Sequence, residues 1–296
     1  MNILVTGAEG QLGTELVRQA PACGVFVTAP LLAEMDLTNY ARVEEVFAAV
    51  RPAAVINAAA YTLVDRAETE SDLAFAVNAA APAHLARLCG RAGIPLVQVS
   101  TDYVFDGRKQ APYVEDDPVA PMGVYGRSKA EGEAAVRGTL REHLIVRTAW
   151  LYSPYGSNFV RTILRLAAEG KELRIVDDQL GSPTCAADFA EALLSIVGRL
   201  SSGGEIPWGT YHYCGRGITS WFGFARHILQ TLKARRHIDA YRVVPITTRE
   251  FPTAARRPAF SALDCSRIQA IFGIRLTPWQ ESVEQTIDRL LASHRV

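Results

Sequence analysis

The chain has no surplus charge of either sign: 31 Lys and Arg residues balance 31 Asp and Glu residues over 296 positions. A platform for nucleic acid or an anionic membrane needs an excess positive field to release counterions, and none is available, which points to a small ligand. No run of about 18 apolar residues occurs, so no spanning helix is expected. The opening MNILVTGAEGQ is too short and too soon broken by glycine to act as a signal peptide. There is no C-x-x-C. Cys23, Cys89, Cys185, Cys214 and Cys265 are odd in number and scattered, the pattern of reduced thiols in a cytoplasmic protein. No two of His84, His143, His212, His227, His237 and His294 stand at metal-ligand spacing, which leaves zinc chemistry without local support. Repeats and low-complexity tracts are absent, and one stretch, LSSGGEIPWG near 200–209, has the composition of a flexible connection.

What the first 150 residues do have is a rhythm. Short apolar runs (NILVTG, VFVTA, AAVINAAA, PLVQVST, LIVRTAW) alternate with segments of helical period (QLGTELVRQA, ARVEEVFAAV, AFAVNAAAPAHLARLCGRAG). Val, Ile and Leu runs without polar alternation imply strands buried on both faces, and helices between them imply parallel pairing with right-handed crossovers. The expected fold is therefore α/β: a doubly wound, Rossmann-like parallel sheet over 1–150, with ligands at the carboxyl ends of its strands. From 151 to 296 helices predominate, which reads as a smaller mixed α/β substrate-binding domain, some of whose segments return to the first domain's sheet.

GAEGQLG places Gly7, Gly10 and Gly13 directly after a strand and directly before an amphipathic helix. Gly7 allows the tight turn, Gly10 lets the backbone approach a pyrophosphate, and Gly13 permits close packing of helix on strand. The helix N-terminus offers free N–H groups and a partial positive charge, so the context is that of a dinucleotide site. An acid about 20 residues further on often holds the cofactor's ribose. Here the second strand ends in Ala29 and Pro30, with neither a carboxylate to repel a 2′-phosphate nor an arginine to welcome one, so NADPH and NADH both stay open. Glu34 and Asp36 follow in what reads as a solvated loop, with Asp36 able to reach the adenine side.

Tyr125 and Lys129 stand four apart in YGRSKAEGEAA, on one face of a helix, and can approach one shared point. Thr101 lies 24 residues before Tyr125, at the carboxyl end of the fourth strand. A free phenol, with pKa near 10, is a weak acid at neutrality, and a neighbouring cation favours the phenolate. Lys129 would supply that cation, Tyr125 would protonate an alkoxide as hydride reaches a carbonyl carbon, and Thr101 would orient the carbonyl oxygen. A Ser or Thr some two dozen residues before Tyr-x-x-x-Lys, with glycines spaced three and three, resembles the active-site arrangement of short-chain dehydrogenases/reductases.

GAEGQLG, NAAAYTLVDRAE, STDYVFDG, YGRSKAEGE, RTAWLYSPYGSNFV, IVDDQLGSPT and ARRPAFSALD, in that order, more specifically resemble the dTDP-4-dehydrorhamnose reductases, from Met1 to about Leu291. The resemblance implies reduction of the 4-keto group of dTDP-6-deoxy-L-lyxo-4-hexulose to dTDP-L-rhamnose with hydride from NADPH or NADH. It makes Thr101, Tyr125 and Lys129 catalytic. It places Gly7, Gly10, Gln11, Leu12, Asp36, Leu37, Ala58, Ala59, Ala60, Tyr61 and Thr62 along the cofactor, and Val64, Asp102, Tyr103 and Trp150 toward the sugar. Gln179 to Thr184 would approach the substrate, and Arg256 with Arg257 become candidates for its pyrophosphate. Some family members are magnesium-bridged homodimers, for which Glu15 is the one matching position. A helix dipole explains a first-turn glutamate as well, and no metal is expected. Two other functions share the fold: a non-catalytic regulatory subunit, which would lack Tyr125 or Lys129, and a nucleotide-sugar epimerase or dehydratase, which would retain tightly bound NAD. Neither nucleic acid nor membrane is expected as a partner.

Overall fold

The computed structural model describes residues 1–170, 172–201, 206–236 and 242–293; residues 202–205 of the glycine-serine stretch, and His237 and His294, lie outside the described residues. Six parallel strands form the central sheet, in spatial order Gly209–His212, His143–Thr148, Leu96–Thr101, Ala54–Asn57, Asn2–Thr6 and Phe26–Thr28. The strand Asn2–Thr6 has the second strand on one side and the third on the other, so the chain reverses its travel across the sheet there. A crevice opens beyond the strand ends at such a switch point.

Each strand is buried on both faces, and its side chains part alternately. Ile3 and Val5 join Leu12, Leu16 and Phe189 beneath the helices Gln11–Gln19 and Ala186–Ser201. Leu4, between them, joins Val43, Phe47, Leu85 and Val136 beneath the helices Tyr40–Val50, Ala81–Ala92 and Val124–Thr139. The doubly wound α/β architecture read from the apolar runs is the one observed. One expected helix differs: the run from Ala74 to Gly93 is divided into Ser71–Phe75, a π turn Ala76–Ala80, and Ala81–Ala92. The wider turn carries the buried Asn78, whose side chain bonds outside its own helix.

Beyond residue 150 the helices Phe159–Ala168, Trp221–Arg236 and Trp279–Ala292 surround a second core of Tyr152, Ile163, Phe224, Trp279 and Ile287. Beside it a short parallel pair joins Leu173–Val176 to Val243–Ile246. The helix Ala186–Ser201 and the strand Gly209–His212 instead serve the central sheet. Among the described residues no helix is long and apolar enough to cross a membrane.

The glycine loop is closed by sterics. Gly7 has φ of +73°, and a Cβ there would lie 2.6 Å from the Ala59 nitrogen. A Cβ on Gly13 would lie 2.1 Å from the Gly7 carbonyl oxygen. Gly13→Ala must push the first helix off its strand, and we expect it to destabilise the fold by about 2–3 kcal/mol. The check is a lower urea midpoint with an unchanged denaturant slope.

Candidate active site

Thr101 closes the strand Leu96–Thr101, and Tyr125 is the second residue of the helix Val124–Thr139. No side chain of the helix's own cap residue, Gly123, serves its first turn; instead the Val124 N–H donates to Glu68 Oε1 at 2.8 Å. The Tyr125 phenol stands beside Thr101, whose hydroxyl donates to Asp102 Oδ1 at 3.0 Å. The Tyr103 ring stands edge-on to Tyr125 at 5.5 Å between centroids. Burial drives Tyr125 above its ordinary value of 10, Thr101 opposes it, and Asp102 and Tyr103 add to the rise.

Lys129 lies one turn along, 3% exposed, and its Nζ donates to the Val99 carbonyl at 2.7 Å. Burial pulls it down to about 8, against the opposing field of Glu133. This corrects the expectation of a phenol acidified by its lysine neighbour: the ammonium is aimed at the strand, and desolvation dominates both groups. Glu133 is itself buried, accepting from Ser100 Oγ at 2.6 Å and from Arg147 Nε at 2.9 Å and Nη2 at 2.6 Å. Behind it the Arg147 guanidinium lies 5.1 Å from the centre of the Phe105 ring and 3.4 Å, at Nη1, from His212 Nε2. Burial, with Arg147 adding to it, pushes His212 down to about 3.

On the cofactor side, the Gly10 N–H donates to the Gly7 carbonyl at 3.0 Å, closing the glycine turn. Gln11 Oε1 accepts from Ser153 Oγ at 3.2 Å and Asn158 Nδ2 at 2.9 Å, which ties the first helix to the second half of the chain. Leu12 and Leu37 are buried in the clusters on opposite sheet faces, so their side chains belong to the core and leave only backbone for a cofactor. Asp36 closes an exposed turn by accepting from the Thr38 N–H at 2.9 Å and its hydroxyl at 2.8 Å.

Ala58, Ala59 and Ala60 leave the third strand half-buried, with the Ala59 N–H donating to Asn57 Oδ1 at 3.2 Å. Asn78 then grips Tyr61, accepting from its N–H at 2.9 Å and donating to its carbonyl at 3.0 Å, and also donates to Ser128 Oγ at 3.0 Å on the helix Val124–Thr139. The Tyr61 hydroxyl bonds Glu70, and Thr62 is exposed. Glu15 corrects a second expectation. It sits in the second turn of its helix, wholly buried, and pairs with Arg18 at 2.7 Å and Arg289 at 2.8 Å. Two guanidiniums, not the helix dipole, balance its charge, and a divalent cation would have to displace them.

On the other side of Tyr125, Val64 opens the short helix Val64–Ala67. Asp65 accepts from the Ala255 N–H at 3.0 Å and pairs with Arg257 at 2.8 Å, while Arg257 also donates to the Tyr103 hydroxyl at 3.4 Å. Of the two arginines, Arg257 is thus committed within the protein and Arg256 is exposed. Asp102 is 1% exposed and is raised to about 6 by burial, with hydrogen bonds from Ser261 and Thr101 opposing.

Trp150 has φ of +47°, rare for a bulky residue, and its ring stacks on Trp221 at 3.6 Å. Gly181 lies against the same ring, where a Cβ would stand 2.6 Å from Cε2, and the Thr184 N–H donates to the Trp150 carbonyl at 3.2 Å. Leu180 and Ser261 exchange a backbone bond at 2.8 Å, and Gln179 Nε2 donates to Thr248 Oγ1 at 3.0 Å. The pairing of Thr101 with Thr148, the bond from the Ser261 N–H to the Leu180 carbonyl and the packing of Gly181 on Trp150 bring Thr101, Asp102, Tyr103 and Tyr125 to the same end of the sheet as Trp150 and the 179–184 segment, with Lys129 beneath. Sequence reasoning missed Asn57, Asn78, Gln98, Glu133, Arg147 and Trp221. Glu133 alone had a local signal, standing four after Lys129 on the same helix face.

Comparison with known proteins places the chain in a family. The family model for the RmlD substrate binding domain matches residues 1–292. The dTDP-4-dehydrorhamnose reductase of Aggregatibacter actinomycetemcomitans is 40% identical over 284 residues, 95% of this chain and 97% of that relative. A dTDP-4-dehydrorhamnose reductase structure from Clostridium acetobutylicum superposes with a TM-score of 0.91 at 39% identity, covering 98% of this chain and 100% of that one. One from Bacillus anthracis, in complex with NADP, gives 0.89 at 36% identity over 97% and 99% of the two chains. With a match across nearly its whole length, the chain belongs to the RmlD family, that of the dTDP-4-dehydrorhamnose reductases.

Proposed function

We propose that the chain reduces the 4-keto group of dTDP-6-deoxy-L-lyxo-4-hexulose to give dTDP-L-rhamnose, with NADPH or NADH as the reductant. The observation that carries this reading is the placement of Tyr125 beside Thr101 at the strand ends, with Lys129 one helical turn away. In this reading residues 1–150 hold the cofactor, with Gly7, Gly10 and Gly13 making the cradle, and 151–296 hold mainly the sugar nucleotide. Val64, Asp102, Tyr103 and Trp150 face the sugar, and Arg256 meets its pyrophosphate. A cytoplasmic location suits an enzyme whose substrates are nucleotide-linked sugars and reduced nicotinamide.

When bound, the nicotinamide supplies the hydride. The chain's own residues handle the oxygen. Thr101 Oγ1 and Tyr125 Oη converge on the carbonyl oxygen and orient it. Because burial holds the phenol above its usual value, Tyr125 keeps its proton at neutrality until an alkoxide takes it, and solvent then restores that proton. Lys129, as ammonium, holds the nicotinamide ribose hydroxyls and, with its Nζ on the Val99 carbonyl, fixes the helix turn that carries Tyr125. A non-catalytic regulatory role is the weaker reading, since Tyr125 and Lys129 are both present.

Loss of absorbance at 340 nm on mixing the protein with NADPH or NADH and the 4-keto sugar nucleotide tests the reading. Tyr125→Phe is expected to lower kcat by about 100-fold or more. No oxidation of either cofactor by folded wild-type protein would overturn it. A pH dependence follows from Lys129, held near 8 in the free protein. The value is depressed, so the ammonium is present below it and lost above it. kcat/KM should fall with unit slope above about pH 8, and in Lys129→Met that limb should vanish with activity low throughout.

A further inference from the structure

The second strand ends without the acid that sorts NADH from NADPH, but in the fold a carboxylate reaches that place from the glycine loop. Glu9, between Gly7 and Gly10, accepts a hydrogen bond at Oε2 from the Leu32 N–H, at 2.8 Å. The bond joins the loop after the first strand to the loop after the second, and those strands are paired neighbours with Leu4 opposite Thr28. In a doubly wound dinucleotide fold the pyrophosphate lies at the glycine loop and the adenosine ribose turns its 2′ position toward the end of the second strand. The cradle suits such a group, because the first helix begins behind Gly10 with no side chain hydrogen-bonded at its N-terminal cap.

Two more carboxylates stand nearby, and the flanking arginines are each paired with a carboxylate of their own. Glu34 Oε2 accepts from the Leu31 N–H at 2.8 Å, and Asp36 holds the next turn. No lysine or arginine stands between Arg18 and Arg42. Arg18 pairs with Glu15, and Arg42 donates Nε to the Glu34 carbonyl at 2.8 Å and pairs with Glu45 at 2.9 Å. A 2′-phosphate would bring nearly two further negative charges to this place.

We propose that Glu9 sets the cofactor preference of this protein, its carboxylate accepting from the ribose 2′-hydroxyl of NADH and repelling the 2′-phosphate of NADPH. A carboxylate has about four acceptor positions, and the Leu32 bond uses one. The inference rests on the reductase reading. It concerns this chain's own residues, since the Bacillus anthracis relative was solved with NADP.

The test is a fluorescence titration of the full chain with NADH and with NADPH, without sugar substrate, at low salt. Wild type is expected to bind NADH about tenfold more tightly than NADPH. Glu9→Gln keeps an acceptor for Leu32 and should shrink that ratio severalfold, chiefly by tightening NADPH. Glu9→Lys should invert it, and 0.5 M salt, on the order of a strongly screening concentration, should narrow it in wild type. Equal or tighter NADPH binding by wild type, or a ratio unmoved by Glu9→Gln, would overturn the inference while leaving the reductase reading in place. Binding of neither cofactor by folded protein would remove both.

Discussion

One carbonyl oxygen, that of Val99, accepts from Lys129 Nζ at 2.7 Å and from Gln98 Nε2 at 2.9 Å. From there a buried chain of bonds crosses the sheet. Gln98 Oε1 accepts from Asn57 Nδ2 at 2.7 Å, and Asn57 Oδ1 accepts from Thr6 Oγ1 at 2.5 Å and from the Ala59 N–H. The fourth, third and first strands and the helix Val124–Thr139 are thereby held in one register at the carboxyl ends of the strands. A polar chain in a low-dielectric interior is costly to leave half-made, so each member constrains the next. The lysine must stand where the strand's carbonyl can receive it, and the tyrosine one turn earlier is placed as a consequence.

The same interior explains how the charges behind the site survive. Glu133 and Arg147 are each 2% exposed or less, and each answers the other with two bonds. A bidentate pair with Ser100 on the remaining lone pairs is the geometry in which buried charges are tolerated. Glu133 also lends a negative field to Lys129, so the pair that stabilises the sheet's interior tempers the depression of the lysine.

Much of this was legible in the sequence, for a physical reason. Burial on both faces writes itself as unbroken Val, Ile and Leu, a tight strand-to-helix turn writes itself as Gly7, Gly10 and Gly13, and two groups on one helix face must be four apart, as Tyr125 and Lys129 are. These are local rules. What escaped was set by topology. Asp65 and Arg257 are 192 positions apart, and nothing near either names the other. Glu15 looked like a helix-end charge because Arg289 arrives only through the last helix. Trp150 was foreseen as a sugar platform, but its stacking on Trp221 needed the second half to be folded. The direction of the Tyr125 shift was missed because spacing tells how near a lysine stands, not which way its ammonium points or how dry the site is.

The strand Gly209–His212 lies at the edge of the central sheet, although helices and short strands of the second half come both before and after it in the chain. The chain leaves the sheet at Thr148 and returns to it at Gly209, and the second core is built on both sides of that return, from Tyr152 to Cys185 before it and from Phe224 to Leu290 after it. Exchanging the later half between relatives to alter the sugar handled would therefore also exchange a wall of the scaffold. The incoming strand would have to pair with His143–Thr148 and bring a neighbour for Arg147 as well as a new pocket. Recombination within this family is constrained by that seam: the second core takes residues from before and after the returning strand, so no single crossover exchanges that core and leaves the sheet intact.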